Sequence, residues 1–141
     1  MHKKFWVGFV AVFVAMAIWQ FVVNMVFLQG EYQATSQLWR PMEEMKYGLF
    51  YVVYLIVSFF FTLIFSKGYE GKGIQEGLRY GFYVGMIMAT SMAYGTYGSM
   101  PIPYSLALKW FLFGLLEYMI LGIIVALVFG KQASVTPAPK T

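Results

Sequence analysis

Residues 73–97 read G-I-Q-E-G-L-R-Y-G-F-Y-V-G-M-I-M-A-T-S-M-A-Y-G-T-Y. Small residues return at every fourth position: Gly73, Gly77, Gly81, Gly85, Ala89 and Ala93. Residues four apart share one face of an α-helix, so the spacing predicts a helix with a smooth groove along one side. In a soluble helix each interior glycine costs about 1 kcal/mol relative to alanine. In a bilayer the same residues let two backbones approach closely, and dispersion supplies the attraction between the helices. The stretch therefore reads as a central membrane helix packed against another helix.

The rest of the chain agrees. It has 141 residues, 60% hydrophobic and 11% charged, against about 25% charged in an ordinary soluble domain. A membrane span takes about 20 apolar residues, and four fit: 5–28, 41–66, 74–97 and 103–129. The expected fold is an all-α bundle of four transmembrane helices over residues 1–130, followed by a disordered tail at 131–141. The Ala15-Met16-Ala17 sequence mimics a signal-peptide cleavage site, but cutting there strands an apolar stub, so the first helix is read as uncleaved. Pro41, followed by Glu43 and Glu44, and Pro103 both suit the first position of a helix. The proline-led segments 41–67 and 103–131 end alike, Ile-Phe-Ser-Lys and Val-Phe-Gly-Lys, a faint sign of two duplicated hairpins.

Charge sets the orientation. Lys3, Lys4, Lys67, Lys72, Arg79, Lys131 and Lys140 fall on one side, and Arg40 and Lys46 on the other, with Lys109 just inside the fourth span. Lysine and arginine favour the cytoplasmic side, so both ends are expected inside. Lys67, Lys72 and Arg79 are expected to face anionic headgroups, and the net charge of +4 is a topology signal rather than a nucleic-acid patch. Aromatic residues near the span ends, Trp6, Trp39, Tyr47, Tyr69, Tyr97, Tyr104 and Trp110, suit an interfacial belt.

What the chain lacks excludes much chemistry. There is no cysteine, no aspartate, and no histidine but His2. Disulfides, thiolate metal centres and bis-histidine haem sites are therefore out, and so is a serine nucleophile with a histidine base. The glycine-rich turn at 68–73 lacks the spacing of a phosphate-binding loop. No catalytic constellation, cofactor or metal centre is expected.

Glu117 falls near the middle of the fourth span. A charge there costs roughly 2.5–3.5 kcal/mol on insertion scales, so the side chain must face the interior and find partners, or stay protonated. Residues at similar depth that could join it in a proton or cation site are Gln20, Asn24, Tyr83, Thr90 and Ser91, with Ser58 a further candidate partner. Lys109 lies eight residues away, about 12 Å along the axis, too far for a direct bond. The structural alternative is a carboxyl that hydrogen-bonds helices together. Met88 and Met92, four apart, offer soft ligands that select Cu(I), and this resembles the methionine and glycine helices of Ctr-type copper importers. Those importers have three spans and keep the two motifs on separate helices. Without cysteine or an internal histidine, methionine as flexible filler in an apolar core is the simpler reading of the pair.

Four spans with one membrane acid resemble small multidrug-resistance exporters, whose glutamate lies in the first helix rather than the fourth. Residues 66–85, S-K-G-Y-E-G-K-G-I-Q-E-G-L-R-Y-G-F-Y-V-G, with Leu38-Trp39-Arg40-Pro41, resemble a family of small uncharacterised four-helix bacterial membrane proteins. That resemblance implies the bacterial inner membrane as location and carries no activity and no functional residues. A second small-residue stripe, Gly114, Gly122, Ala126 and Gly130, lies on the fourth span. Two stripes exceed what one internal contact needs, so one is expected to serve a partner. The leading expectation is a non-catalytic oligomeric or accessory subunit of a larger membrane complex. Proton- or cation-coupled transport through Glu117 is the alternative, and copper handling through Met88 and Met92 is a third reading.

Overall fold

The computed structural model describes residues 2–130; the tail expected at 131–141 lies outside them. The described residues are helical and contain no strand. Helix α1 (His2–Val22) runs into a π-helical turn (Val23–Phe27), followed by the short α2 (Gln29–Ala34). The other long helices are α3 (Tyr47–Gly68), α4 (Ile74–Ser99) and α5 (Tyr104–Phe129). Three segments are long and apolar enough to cross a membrane: Lys3–Phe27, Tyr47–Gly68 and Tyr104–Phe129. Many of their large apolar side chains are exposed, Ile18, Phe21, Ile56, Ile64 and Leu127 among them. Helix α4 is as long as α5 at 26 residues, yet glycines, hydroxyls and Glu76 and Arg79 hold it below that apolar standard.

The two small-residue stripes meet each other. A methyl group added to Gly77 would overlap the Gly122 carbonyl oxygen, and one on Gly81 would overlap the Tyr118 carbonyl oxygen. On Gly85 it would sit 3.2 Å from Tyr118 Cβ, and on Gly114 3.1 Å from Ala89 Cβ. Gly77, Gly81, Gly85, Ala89 and Ala93 are all buried, as are Gly122 and Ala126. The expectation that one stripe is left for a partner is thereby corrected, because a single α4–α5 contact uses both. Gly73 also changes role: it precedes α4 with φ +84°, a left-handed conformation that glycine adopts without penalty. Its carbonyl accepts from the Glu76 and Gly77 amides. Gly130, likewise, ends α5 with φ +77°.

The start of α3 differs from the proline-led helix expected at 41. Met42–Glu44 makes one 3-10 turn, closed by Glu44 N–H donating to the Pro41 carbonyl. Lys46, at φ −92° and ψ 71°, is not helical, so the turn cannot propagate and α3 begins at Tyr47. Pro103 directly precedes α5 as its N-cap rather than its first residue, its carbonyl accepting from the Leu106 and Ala107 amides, so the likeness between the two proline-led segments fails at its first residue.

Two cores hold the helices. One joins α1, α3 and α5 through Val12, Met16, Phe61, Phe65, Leu121, Val125 and Phe129. The other gathers Val23, Leu28, Ala93, Ile102, Leu106 and Trp110 at the end capped by α2. At the opposite end Lys4 Nζ donates to the Phe129 carbonyl at 2.8 Å, and the Tyr69 hydroxyl donates to the Gly130 carbonyl. A lysine is well placed there, since the last carbonyls of a helix lack intrahelical donors and carry its negative pole.

The α4–α5 contact makes a directional prediction. Gly81→Ala should lower the thermal midpoint in detergent: the helix-propensity gain of about 1 kcal/mol is opposed by overpacking that typically costs about 1–3 kcal/mol. Gly95→Ala meets nothing within 4 Å and should leave the midpoint unchanged or higher. Equal shifts for the two variants would contradict the packing described.

Candidate functional site: a buried carboxylate

Because Tyr118 and Gly122 face α4, Glu117 is rotated by about 100° from that contact and turns toward α1. Its side chain is 3% exposed. Gln20 Nε2 donates to both carboxylate oxygens, at 2.9 Å to Oε1 and 3.1 Å to Oε2. Asn24, in the π-helical turn that follows α1, donates through Nδ2 to the Gln20 carbonyl at 2.9 Å and to Gln20 Oε1 at 3.0 Å. Its own Oδ1 accepts from the Tyr32 hydroxyl at 2.7 Å, and the Tyr32 oxygen accepts from Trp110 Nε1 at 2.8 Å.

The order of donors is fixed by one backbone group. A carbonyl only accepts, so the Asn24 nitrogen must face the Gln20 carbonyl. That turns Asn24 Oδ1 to Tyr32, Gln20 Oε1 to Asn24, and Gln20 Nε2 to the carboxylate. Every donor in the series therefore points toward Glu117, and each bond polarises the next in a medium of low dielectric constant. The series is not a proton wire. A wire needs groups that take up one proton and release another, whereas an indole N–H only donates. It is instead an oriented support for a group that accepts.

Local structure brings these residues together. The π turn ends where Leu28 N–H donates to the Val23 carbonyl at 2.8 Å, and Leu28 leaves the helical region at φ −106°, ψ 2°. Helix α2 then folds back so that Tyr32 lies over Asn24. Glu31, beside Tyr32, pairs with Lys109 at 2.9 Å and accepts from the Ser105 hydroxyl at 3.3 Å. Partly exposed, this pair is worth about 0.2–1 kcal/mol, and it engages Lys109 away from Glu117. Trp39 Nε1 donates to Thr35 Oγ1 at 2.8 Å, and the Trp39 ring packs edge-on to Tyr32 and Trp110. Trp39 and Trp110 are thus parts of a packed aromatic cluster; Tyr69 is partly buried, and Trp6, Tyr47, Tyr97 and Tyr104 are exposed.

Of the residues the sequence suggests beside Glu117, the structure brings Gln20 and Asn24. Tyr83, Thr90 and Ser91 lie on exposed sides of α4, because the glycine face of that helix is the one turned to α5. Ser58 is buried, and its hydroxyl reaches Met16 Sδ at 3.9 Å instead. Met88 and Met92 are exposed, and no group of three His, Asp or Glu residues that could hold a metal occurs among the described residues. Lys67, Lys72 and Arg79 are exposed, with Lys72 pairing with Glu70 at 3.0 Å. Sequence reasoning missed Tyr32, Trp110 and the Glu31–Lys109 pair. The available signal was the matching of Glu31-Tyr32 with Lys109-Trp110, two adjacent pairs that bond across the fold. No family model matches the chain, and comparison with curated proteins and with solved structures finds no match.

Burial pushes Tyr32 above its ordinary value of 10.0, and the hydrogen bond from Trp110 opposes the rise. The neutral phenol thus contributes its full stabilisation below pH 10.0, and that contribution is lost as pH rises through the elevated value. An alkaline absorbance titration of the protein, minus that of Tyr32→Phe, should show a midpoint above 10.0. A midpoint at or below 10.0 would refute the burial of this phenol.

Proposed function

We propose that the chain is a four-span protein of the bacterial inner membrane, with both termini cytoplasmic, and a small proton- or cation-coupled transporter centred on Glu117. The observation that carries this reading is a carboxylate 3% exposed at the end of an oriented donor series, with no ion-pair partner among the described residues. An acid buried at this depth is costly, and a proton or a bound cation neutralises it when the chain itself supplies no cation. Protonation removes an acceptor at which the Gln20–Asn24–Tyr32–Trp110 series ends, so loading the site would rearrange α1 against α5. Transport then proceeds by a change of conformation, since the series is no wire. The excess of lysine at the Lys4–Lys67 end supports cytoplasmic termini.

Glu117→Gln keeps the shape of the side chain and one of the two acceptors for Gln20 Nε2 while removing the charge. Reconstituted in vesicles with an imposed pH gradient, this variant should lose pH-coupled flux while keeping the helical circular dichroism and thermal midpoint of the parent. Parental flux in a folded Glu117→Gln protein would end this reading.

A second reading, an oligomeric or accessory subunit of a larger membrane complex, is favoured by Thr90 and Ser91, whose side chains are exposed on a long helix. In lipid such hydroxyls bond across helices. Thr90→Val with Ser91→Ala should then shrink the complex seen by native mass spectrometry from gently extracted membranes, and an unchanged mass distribution would remove the support.

A further inference from the structure

Helices α3 and α4 are joined by a turn yet meet chiefly through Tyr80. Its hydroxyl donates to the Phe61 carbonyl at 2.6 Å, and its ring lies 4.8 Å from Phe61 and 5.3 Å from Phe65. On either side of that contact the seam opens into two adjoining grooves of about 250 and 230 Å³ that share Ile64 and Tyr80. Ile56, Phe60 and Ile64 form one wall, Val84 and Met88 the other, and Phe61 and Tyr118 the floor. From Ile56 to Gly68 the seam runs about 18 Å at 1.5 Å per residue. Half the hydrocarbon thickness of a bilayer is about 15 Å, so the seam has the length of one leaflet's acyl chain.

The turn end of the seam carries charge. Arg79 lines the groove there and is exposed, as is Lys67 one residue before Gly68. Glu76 lines it too, but its carboxylate is directed to the turn, accepting from Glu70 N–H at 2.7 Å and Lys72 N–H at 2.9 Å. Arg79 has no acidic partner among the described residues. A guanidinium binds phosphate in a two-pronged fork.

The geometry points to a binding site for one anionic phospholipid, its phosphate on Arg79 at the turn end and one acyl chain along the α3–α4 seam past Tyr80. The charge complementarity selects the headgroup, and the apolar walls accept the chain. This site is independent of Glu117, which faces α1.

The test is native mass spectrometry of the full-length protein equilibrated with equal amounts of phosphatidylglycerol and phosphatidylcholine. Phosphatidylglycerol adducts should exceed phosphatidylcholine adducts, and Arg79→Gln should lower that ratio roughly fivefold, the worth of one basic residue at an anionic surface. Val84→Trp, which fills the groove and leaves Arg79 in place, should reduce retention of both lipids. Equal retention of the two lipids by the parent, an unchanged ratio in Arg79→Gln, or parental retention in Val84→Trp would each overturn the site. So would a lipid-free dimer, which would mean that a second copy covers the seam.

Discussion

The close approach of α4 to α5 is the constraint from which the rest follows. Backbone comes so near backbone at Gly77, Gly81 and Gly122 that no side chain fits between them. This fixes the rotation of α5 about its own axis. With Tyr118, Gly122 and Ala126 committed to α4, Glu117 is turned to α1 and Trp110 to the α2 end. A rotation of α5 by one residue position would carry the carboxylate out of reach of Gln20. The position of a buried charge is thus decided by residues that carry no functional group.

Much of this was legible in the sequence, because helical periodicity and hydrophobic length are local properties. The run 73–97 announces a helix with one small-residue face, and Glu117 announces a buried acid with amide partners on the first helix. What the sequence withheld is pairwise. Whether two small-residue stripes face each other or face other proteins depends on relative rotation, which periodicity does not contain. Tyr83, Thr90 and Ser91 sit away from Glu117, because azimuth follows from packing and the small-residue face of α4 is the one turned to α5. The proline rule placed a helix start at Pro41, and it was overridden at Lys46, whose backbone leaves the helical region.

Glu117 and Glu31 show how differently the fold treats two acids. Glu31 meets Lys109 near the surface, where water shares the stabilisation and the pair adds little. Glu117 meets only the neutral amide of Gln20, and no residue of opposite charge pairs with it among the described residues. On the proposed transport reading, a lysine in place of Gln20 would neutralise the site and leave it nothing to exchange, whereas the amide leaves the acid uncompensated.

The bond from Lys4 to the Phe129 carbonyl joins residues 125 positions apart, and Gln20 waits across 97 positions for Glu117. During synthesis α1 emerges first and α5 last, at roughly 5–20 residues per second. For that interval Gln20 and Asn24 are without the helix that completes their contacts. The Asn24 bond to the Gln20 carbonyl, made within one turn, gives them a provisional partner. The α4–α5 contacts, by contrast, are near in sequence, so they close a much shorter loop than α1 with α5. The two halves of the Glu117 site are thus made far apart in the chain, and the contact of α1 with α5 is the one that spans the greatest length of sequence.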